Sequence, residues 1–206
     1  MVAIRVPPGR TGRQWLHGRL AAAERAAELL ERKAQLLRVE QRRYADAVER
    51  GSREWTLAAQ DARTWTARAT ILAGERGLLL AATGERASTD VEWTTLMGVR
   101  YPCAARCVWP EGGGSGVLGS AAHVGAGQAH RRALAAAVRV AADEAAYAAL
   151  TRELAATHRR IRALRRRWIP ALHDQLAQVE LVLEELDRAE IGTRRRAIAH
   201  DADDRR

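Results

Sequence analysis

Four residues of this chain have side chains that could hold a zinc ion: Cys103, Cys107, His123 and His130. Their spacings, with three, fifteen and six residues between them, match no regular zinc module. They read as two free thiols in or near a hairpin and two unrelated imidazoles. Gly114-Ser115-Gly116-Val117-Leu118-Gly119 fits the glycine pattern that lets a backbone approach a dinucleotide pyrophosphate, but no parallel strand precedes it and no βαβ unit surrounds it, so it reads as a linker. A phosphate-cradling loop would need a lysine, and the single lysine, Lys33, lies far from it. His17, His158, His173 and His200 are scattered at no ligand spacing and form no acid–base set. The residue types therefore point to no catalytic residue, no metal and no cofactor, and an enzyme is the weakest reading.

Charge is the stronger signal. The densest run is Arg159, Arg160, Arg162, Arg165, Arg166 and Arg167, in which Arg162 and Arg166 repel at i,i+4. Thirty-four Lys+Arg against 25 Asp+Glu give a net charge of +9, and all but one of the cations are arginines, which stay charged at any pH. Such a surface expects an anionic partner: acidic protein loops, or a nucleic-acid backbone bound through salt-sensitive contacts.

The elements that must carry these charges are set by a sustained 3.5-residue repeat. Gaps of four and three alternate through Leu16, Leu20, Ala23, Ala27, Leu30, Ala34, Leu37, Gln41, Tyr44 and Val48. They continue through Gly51, Trp55, Ala58, Ala62, Trp65, Ala69 and Leu72, with only Gln41 and Gly51 breaking the apolar seam. That is the pattern of a helix that supercoils against another helix. A second arm repeats it at Val140, Tyr147, Leu150, Leu154, Ile161, Leu164 and Trp168, interrupted by Asp143 and Thr157. From Trp168 to Leu172 to Leu176 two successive gaps are four, so the supercoil unwinds locally, and Pro170 at the phase shift predicts a kink at about residues 166–170. Val179, Leu183 and Leu186 then restore the alternation.

Arms of equal length, each roughly 85–90 Å at about 1.5 Å per residue, predict a helical hairpin. The reading is one elongated unit, residues 1–206, with coiled-coil arms at 10–77 and 128–198 and a hairpin and loop region at 78–127 between them. Pairing Leu16 near Glu190 and Leu72 near Leu134 sets the acidic run Glu180, Glu184, Glu185, Asp187 against Arg19 and Arg25. It also sets Arg159–Arg167 against Arg38, Arg42 and Arg43, a basic belt. Between the arms, Gly74, Gly77 and Gly84 punctuate the helix end, Val91–Met97 reads as a short strand, and Val99–Cys103 after Gly98 reads as its partner. Gly112–Gly127 reads as a glycine-rich flexible connection, and residues 1–9 and 199–206 as disordered ends. Aromatic residues are 4% of the chain with no Phe, so the core is Ala, Leu and Val, and Trp55, Trp65 and Trp168 are seam residues rather than base-stacking platforms. The first fifteen residues lack a secretory signal's apolar stretch, the longest apolar run, Leu78–Ala82, cannot span a bilayer, and two cysteines fit a reducing compartment.

The order of motifs along both arms resembles the D subunit of the V/A-type rotary ATPases, the central-stalk rotor. The resemblance is carried by Arg159-Arg160-Ile161-Arg162-Ala163-Leu164 running into Trp168-Ile169-Pro170-Ala171-Leu172, then Leu183-Glu184-Glu185-Leu186 and the basic Arg194-Arg195-Arg196. At the other end stand Pro8-Gly9-Arg10-Thr11 and Leu29-Leu30-Glu31-Arg32-Lys33, and in the middle Met97-Gly98-Val99 through Pro102. The resemblance implies an all-α helical hairpin with a small central β-hairpin, acting as a non-catalytic shaft that couples ATP chemistry in a catalytic head to proton or other ion transport. It implies as partners the A and B subunits of the head, the small F subunit of the stalk and a rotor-ring adaptor. The complex would be peripheral on the cytoplasmic side of the cell membrane. Within it the Arg belt would meet acidic loops, while Ile169, Pro170, Met97 and Gly98 would be structural. The rival reading is a basic coiled-coil protein that binds nucleic acid or an anionic surface. The Ile-Pro segment, the matched arms and the central hairpin weigh against it.

Overall fold

The structure, a computed structural model, describes residues 5–81, 86–110 and 121–203. In chain order these form helix α1 (Gly9–Ala81), strands β1 (Ser88–Leu96) and β2 (Val99–Val108), helix α2 (Ala121–Ala163), a π-helical turn (Leu164–Trp168) and helix α3 (Ile169–Asp203). The expected all-α architecture with one β-hairpin is present. The glycine stretch 114–119, with Gly84 and the chain ends 1–4 and 204–206, lies outside the described residues. The contacts divide into two compact units, Met1–Ala34 with Ala156–Arg206, and Gln35–Ala155.

In the first unit the start of α1 runs antiparallel to α3. Leu16, Leu20 and Ala23 pack on Leu172 and Leu176, with Val6, Trp15, Trp168, Ile169 and Val179 around them. Leu16 and Leu172 are fully buried, each burial stabilising by roughly 1.5–3 kcal/mol. The segment before α1 folds back over its first turn, placing the Pro7 carbonyl where a side chain at Gly12 would begin.

In the second unit the seam is built of alanine. Ala62 packs on Ala129 and Ala133, and Ala69 on Ala122 and Ala126, with Trp65 against both sets. Helix α2 therefore begins at Ala121, and Gly125 and Gly127 belong to it instead of to the connection expected from their composition. Ala122, Ala126, Ala129, Ala133, Ala136 and Val140 keep the four–three alternation and are all buried. Alanine seams bring two backbones close, which explains three departures from the sequence reading. Trp55, 45% exposed, is turned out of the seam for want of room. Ala146 is fully buried in place of Tyr147. Gly51 is no break, since Val140 packs where its side chain would be. Leu72 is exposed beside the kink at Gly74, where φ is +69° before the helix resumes.

Three polar residues interrupt the seams, and each meets a different environment. Gln41 Nε2 donates to Thr151 Oγ1 at 2.7 Å. Asp143, whose half-burial raises its pKa, is flanked by Arg50, Arg139 and Arg43, which oppose the rise. Thr157 is fully buried with no partner for its hydroxyl. A buried unpaired hydroxyl costs about 1–3 kcal/mol, so Thr157→Val, which keeps the shape, is expected to stabilise the chain. Its thermal midpoint should rise by roughly 2–4 °C per kcal/mol gained, read by calorimetry.

The β-hairpin is longer than its sequence signature. It turns on Met97 and Gly98, with φ of +50° and +80°, the left-handed pair that a two-residue hairpin turn requires. A bulge between Glu92 and Trp93 falls opposite Pro102-Cys103, where proline is tolerated because the ladder is already interrupted. The tip half of the hairpin docks on α1. Tyr101 is buried, its hydroxyl donates to Glu40 Oε1 at 3.2 Å, and its ring meets Tyr44 edge-on with centroids 5.5 Å apart. Burial, then the Glu40 charge, push the Tyr101 phenol up from 10.0 to about 12. A phenol whose pKa is raised by folding favours the folded state fully below pH 10 and loses that contribution as pH rises towards 12. Protection of the hairpin amides, exchange measured against the unfolded-chain rate at the same pH, should therefore fall above pH 10 in the native chain, and Tyr101→Phe should remove that fall.

Candidate partner-binding surface

The arginine run is positioned by the end of α2 and the π-helical turn that follows. A surplus residue in the seam between Leu164 and Leu172 must be absorbed somewhere, and a helix absorbs one residue by widening to i→i+5 hydrogen bonds for a turn. Here the Ile169 N–H donates to the Leu164 carbonyl, five residues back. The expected disturbance at Pro170 is thus a π-turn ending just before it, with Pro170 in the first turn of α3, where a proline is tolerated. No side chain of the turn is buried, so Arg165, Arg166 and Arg167 all reach solvent.

What faces them differs from the expected register. Across α1 and α3 the pairs Arg10–Asp187 at 3.4 Å, His17–Glu180 at 3.6 Å and Glu24–His173 at 3.9 Å step by seven residues on both helices. One heptad further, Glu31 takes both Arg165 Nε and Nη2, at 3.1 and 3.2 Å, one residue out of step because the π-turn intervenes. Within this unit the pairing is shifted by about nine residues from the register drawn by matching arm ends, and Arg165 sits among Glu31, Glu28 and Glu24. The Glu31 hydrogen bond, then its charge, hold the Arg165 guanidinium above its ordinary pKa. The second unit repeats the heptad step with Arg132–Asp61 at 2.7 Å and Arg139–Glu54 at 4.0 Å.

Of the nine arginines singled out in the sequence, three lie in the second unit and six in the first. Arg38, Arg42 and Arg43 are exposed on α1 in the second unit, where Arg43 pairs with Glu40 at 3.0 Å. Arg159, Arg160, Arg162 and the three turn arginines are exposed in the first unit. No described carboxylate forms an ion pair with Arg166 or Arg167, and the same holds for Arg42, Arg159 and Arg162. Glu31, the residue that neutralises one member of the run, went unmarked in the sequence. Its signal was the spacing of Arg10, His17, Glu24 and Glu31 at sevens.

The groups that could have done chemistry are not assembled. Cys103 is exposed and Cys107 half-buried on one strand, while His130 on α2 bonds Thr66 Oγ1 at 2.8 Å. No group of three or more His, Cys, Asp or Glu able to hold a metal occurs among the described residues, and no described helix is long and apolar enough to cross a membrane.

Antiparallel helices with apolar seams and heptad-spaced ion pairs within each unit define a coiled-coil protein. The family model for the D subunit of ATP synthase matches residues 14–198, and the chain belongs to that family. It is 30% identical over 203 residues to the D subunit of the V-type ATP synthase of Anaeromyxobacter sp. (strain Fw109-5), covering 91% of this chain and 90% of that one. It is 31% identical over 192 residues to the D subunit of the A-type ATP synthase of Methanopyrus kandleri, covering 89% and 81%. The protein is thus a non-catalytic central-stalk component of a V/A-type rotary ATPase.

Proposed function

We propose that this chain is the rotor shaft that couples ATP synthesis or hydrolysis in a hexameric catalytic head to proton transport through a membrane rotor, on the cytoplasmic side of the cell membrane. Its partners in this reading are the A and B subunits of the head, the small F subunit of the stalk and the adaptor of the rotor ring. The observation that carries it is the match to the D-type family over residues 14–198, nearly the whole chain, on helices paired by apolar seams. A coil of this kind resists twisting and needs no catalytic group. Its asymmetric surface can bias which site of a head is open. Arg166 and Arg167 are the contacts offered to acidic loops of a partner.

The test is affinity purification of the tagged chain from gently solubilised membranes, with ATPase assay and partner identification at low and high salt. A stoichiometric ATP-hydrolysing assembly that survives high salt is the expected result. Recovery of the chain alone, or with nucleic acid that is lost steeply as salt rises, would sink the proposal.

A further inference from the structure

We infer that the π-turn Leu164–Trp168 is a flexure: a fixed point at which the C-terminal helix bends and twists more easily than on either side. The inference concerns the chain itself and holds or fails independently of its place in an ATPase. Two successive carbonyls lose their ordinary helical donors here. The donor due to Arg165 is the Ile169 N–H, which is diverted to Leu164, and the donor due to Arg166 is position 170, a proline without an N–H. The seam side chains from Ile161 to Trp168 are also less buried than those on either side. Leu150 and Leu154 before it and Leu172 and Leu176 after it are buried, whereas Ile161, Leu164 and Trp168 are only half-buried. Among the described residues, the turn's one ion pair across the helices is the exposed Arg165–Glu31 pair.

The surplus residue is pinned in place. Moving the π-turn towards the N-terminus would bring Arg162 and Arg165 into the seam in place of Ile161 and Leu164. Moving it towards the C-terminus would bring in Ala171, Gln175 and Gln178 in place of Leu172, Leu176 and Val179, and would require an N–H from Pro170. Yet packing alone does not need the extra residue. With Arg166 deleted, the seam would run Leu164, Ile169, Leu172, Leu176 in unbroken four–three alternation, with Ile169, which already packs on this core, in the place of Trp168. A costly irregularity that the seam does not require and the flanking sequence holds still is a local mechanical element.

Hydrogen exchange on the full-length chain, followed by mass spectrometry, tests this. Amides of residues 165–173 should exchange at least about tenfold faster than those of 174–181. Fraying from the C-terminal end would give the opposite order. Deleting Arg166 together with Pro170→Ala, because the deletion alone would set the proline inside a continuous α-helix, should bring the two windows within about threefold of each other without lowering the thermal midpoint. Pro170→Ala, which returns a donor to the Arg166 carbonyl and leaves the register alone, should slow exchange at 166–171 several-fold. Equal protection of the two windows in the native chain would overturn the inference. So would fast exchange that survives both variants, or a lower midpoint for the deletion combined with Pro170→Ala than for Pro170→Ala alone, which would make the surplus residue a packing requirement.

Discussion

Reversing Arg166 and Arg167 to Glu together is expected to uncouple ATP hydrolysis from proton pumping while leaving the chain folded. Both guanidinia stand in solvent with no described carboxylate paired to them, so their loss removes no recorded ion pair within the chain. If acidic partner loops sit against them, two new negative charges turn attraction into repulsion. Like charges brought together at an interface cost several kcal/mol, enough to lower protons moved per ATP by roughly tenfold or more. The measurement is ATP hydrolysis against acidification in reconstituted vesicles, with circular dichroism to verify folding. Unchanged coupling in a folded, fully assembled mutant would remove these two residues from the interface. Arg165→Glu serves as the contrast. It breaks the pair with Glu31 and adds a fourth acid beside Glu24 and Glu28. Its defect should therefore appear in the isolated chain, and exchanging both partners, Arg165→Glu with Glu31→Arg, should repair it. The pair of experiments separates a residue that holds the coil together from residues that face outwards.

Why one arginine of three is occupied was not legible in the sequence, and the reason is physical. The apolar repeat declares that α1 pairs with a helix, and its phase at Leu16, Leu20, Ala23, Ala27, Ala34 and Leu37 is the phase seen in the burial pattern. A repeat of seven is nevertheless satisfied by every slip of seven, and charge matching near the helix ends favours more than one register. Equal arm lengths fixed the choice wrongly because the visible seam of the second arm began at Val140. Its first part is alanine, whose small side chain gives a faint signal even when fully buried, as at Ala129. The surplus residue near Pro170 was plain in the spacing. Its form as a π-turn ending before the proline, and its effect of putting Glu31 opposite Arg165, depend on backbone hydrogen bonding that residue type does not encode. The hairpin turn was legible from Met97-Gly98, whereas the docking of Tyr101 on Glu40 pairs residues sixty-one apart that share no motif.

Two glycines of α2, two residues apart in sequence, should respond in opposite directions to the same change. An ideal Cβ at Gly125 would stand 2.6 Å from Cε3 and Cζ3 of Trp65, far inside contact distance, whereas one at Gly127 would meet nothing within 4 Å. At Gly127 only the helix propensity operates, so Gly127→Ala should stabilise the chain by about 0.5–1 kcal/mol. At Gly125 the same gain is opposed by the indole, which fills the space between Ala62 and Ala69 on its own helix and Ala126, Ala129 and Ala133 across the seam. Rings do not compress, and alanine neighbours have no rotamers to yield, so Trp65 must leave the seam or the helices must part. Overpacking of this kind costs roughly 1–3 kcal/mol, occasionally more. The thermal midpoint of Gly125→Ala should fall by several degrees, at roughly 2–4 °C per kcal/mol. Trp65→Leu combined with Gly125→Ala should be less destabilised than the sum of the two single changes, since removing the ring removes the clash. A stabilised Gly125→Ala chain would mean that Trp65 lies elsewhere than over α2, and that Gly125 belongs, as its neighbours' composition first suggested, to a connection and not to the coil.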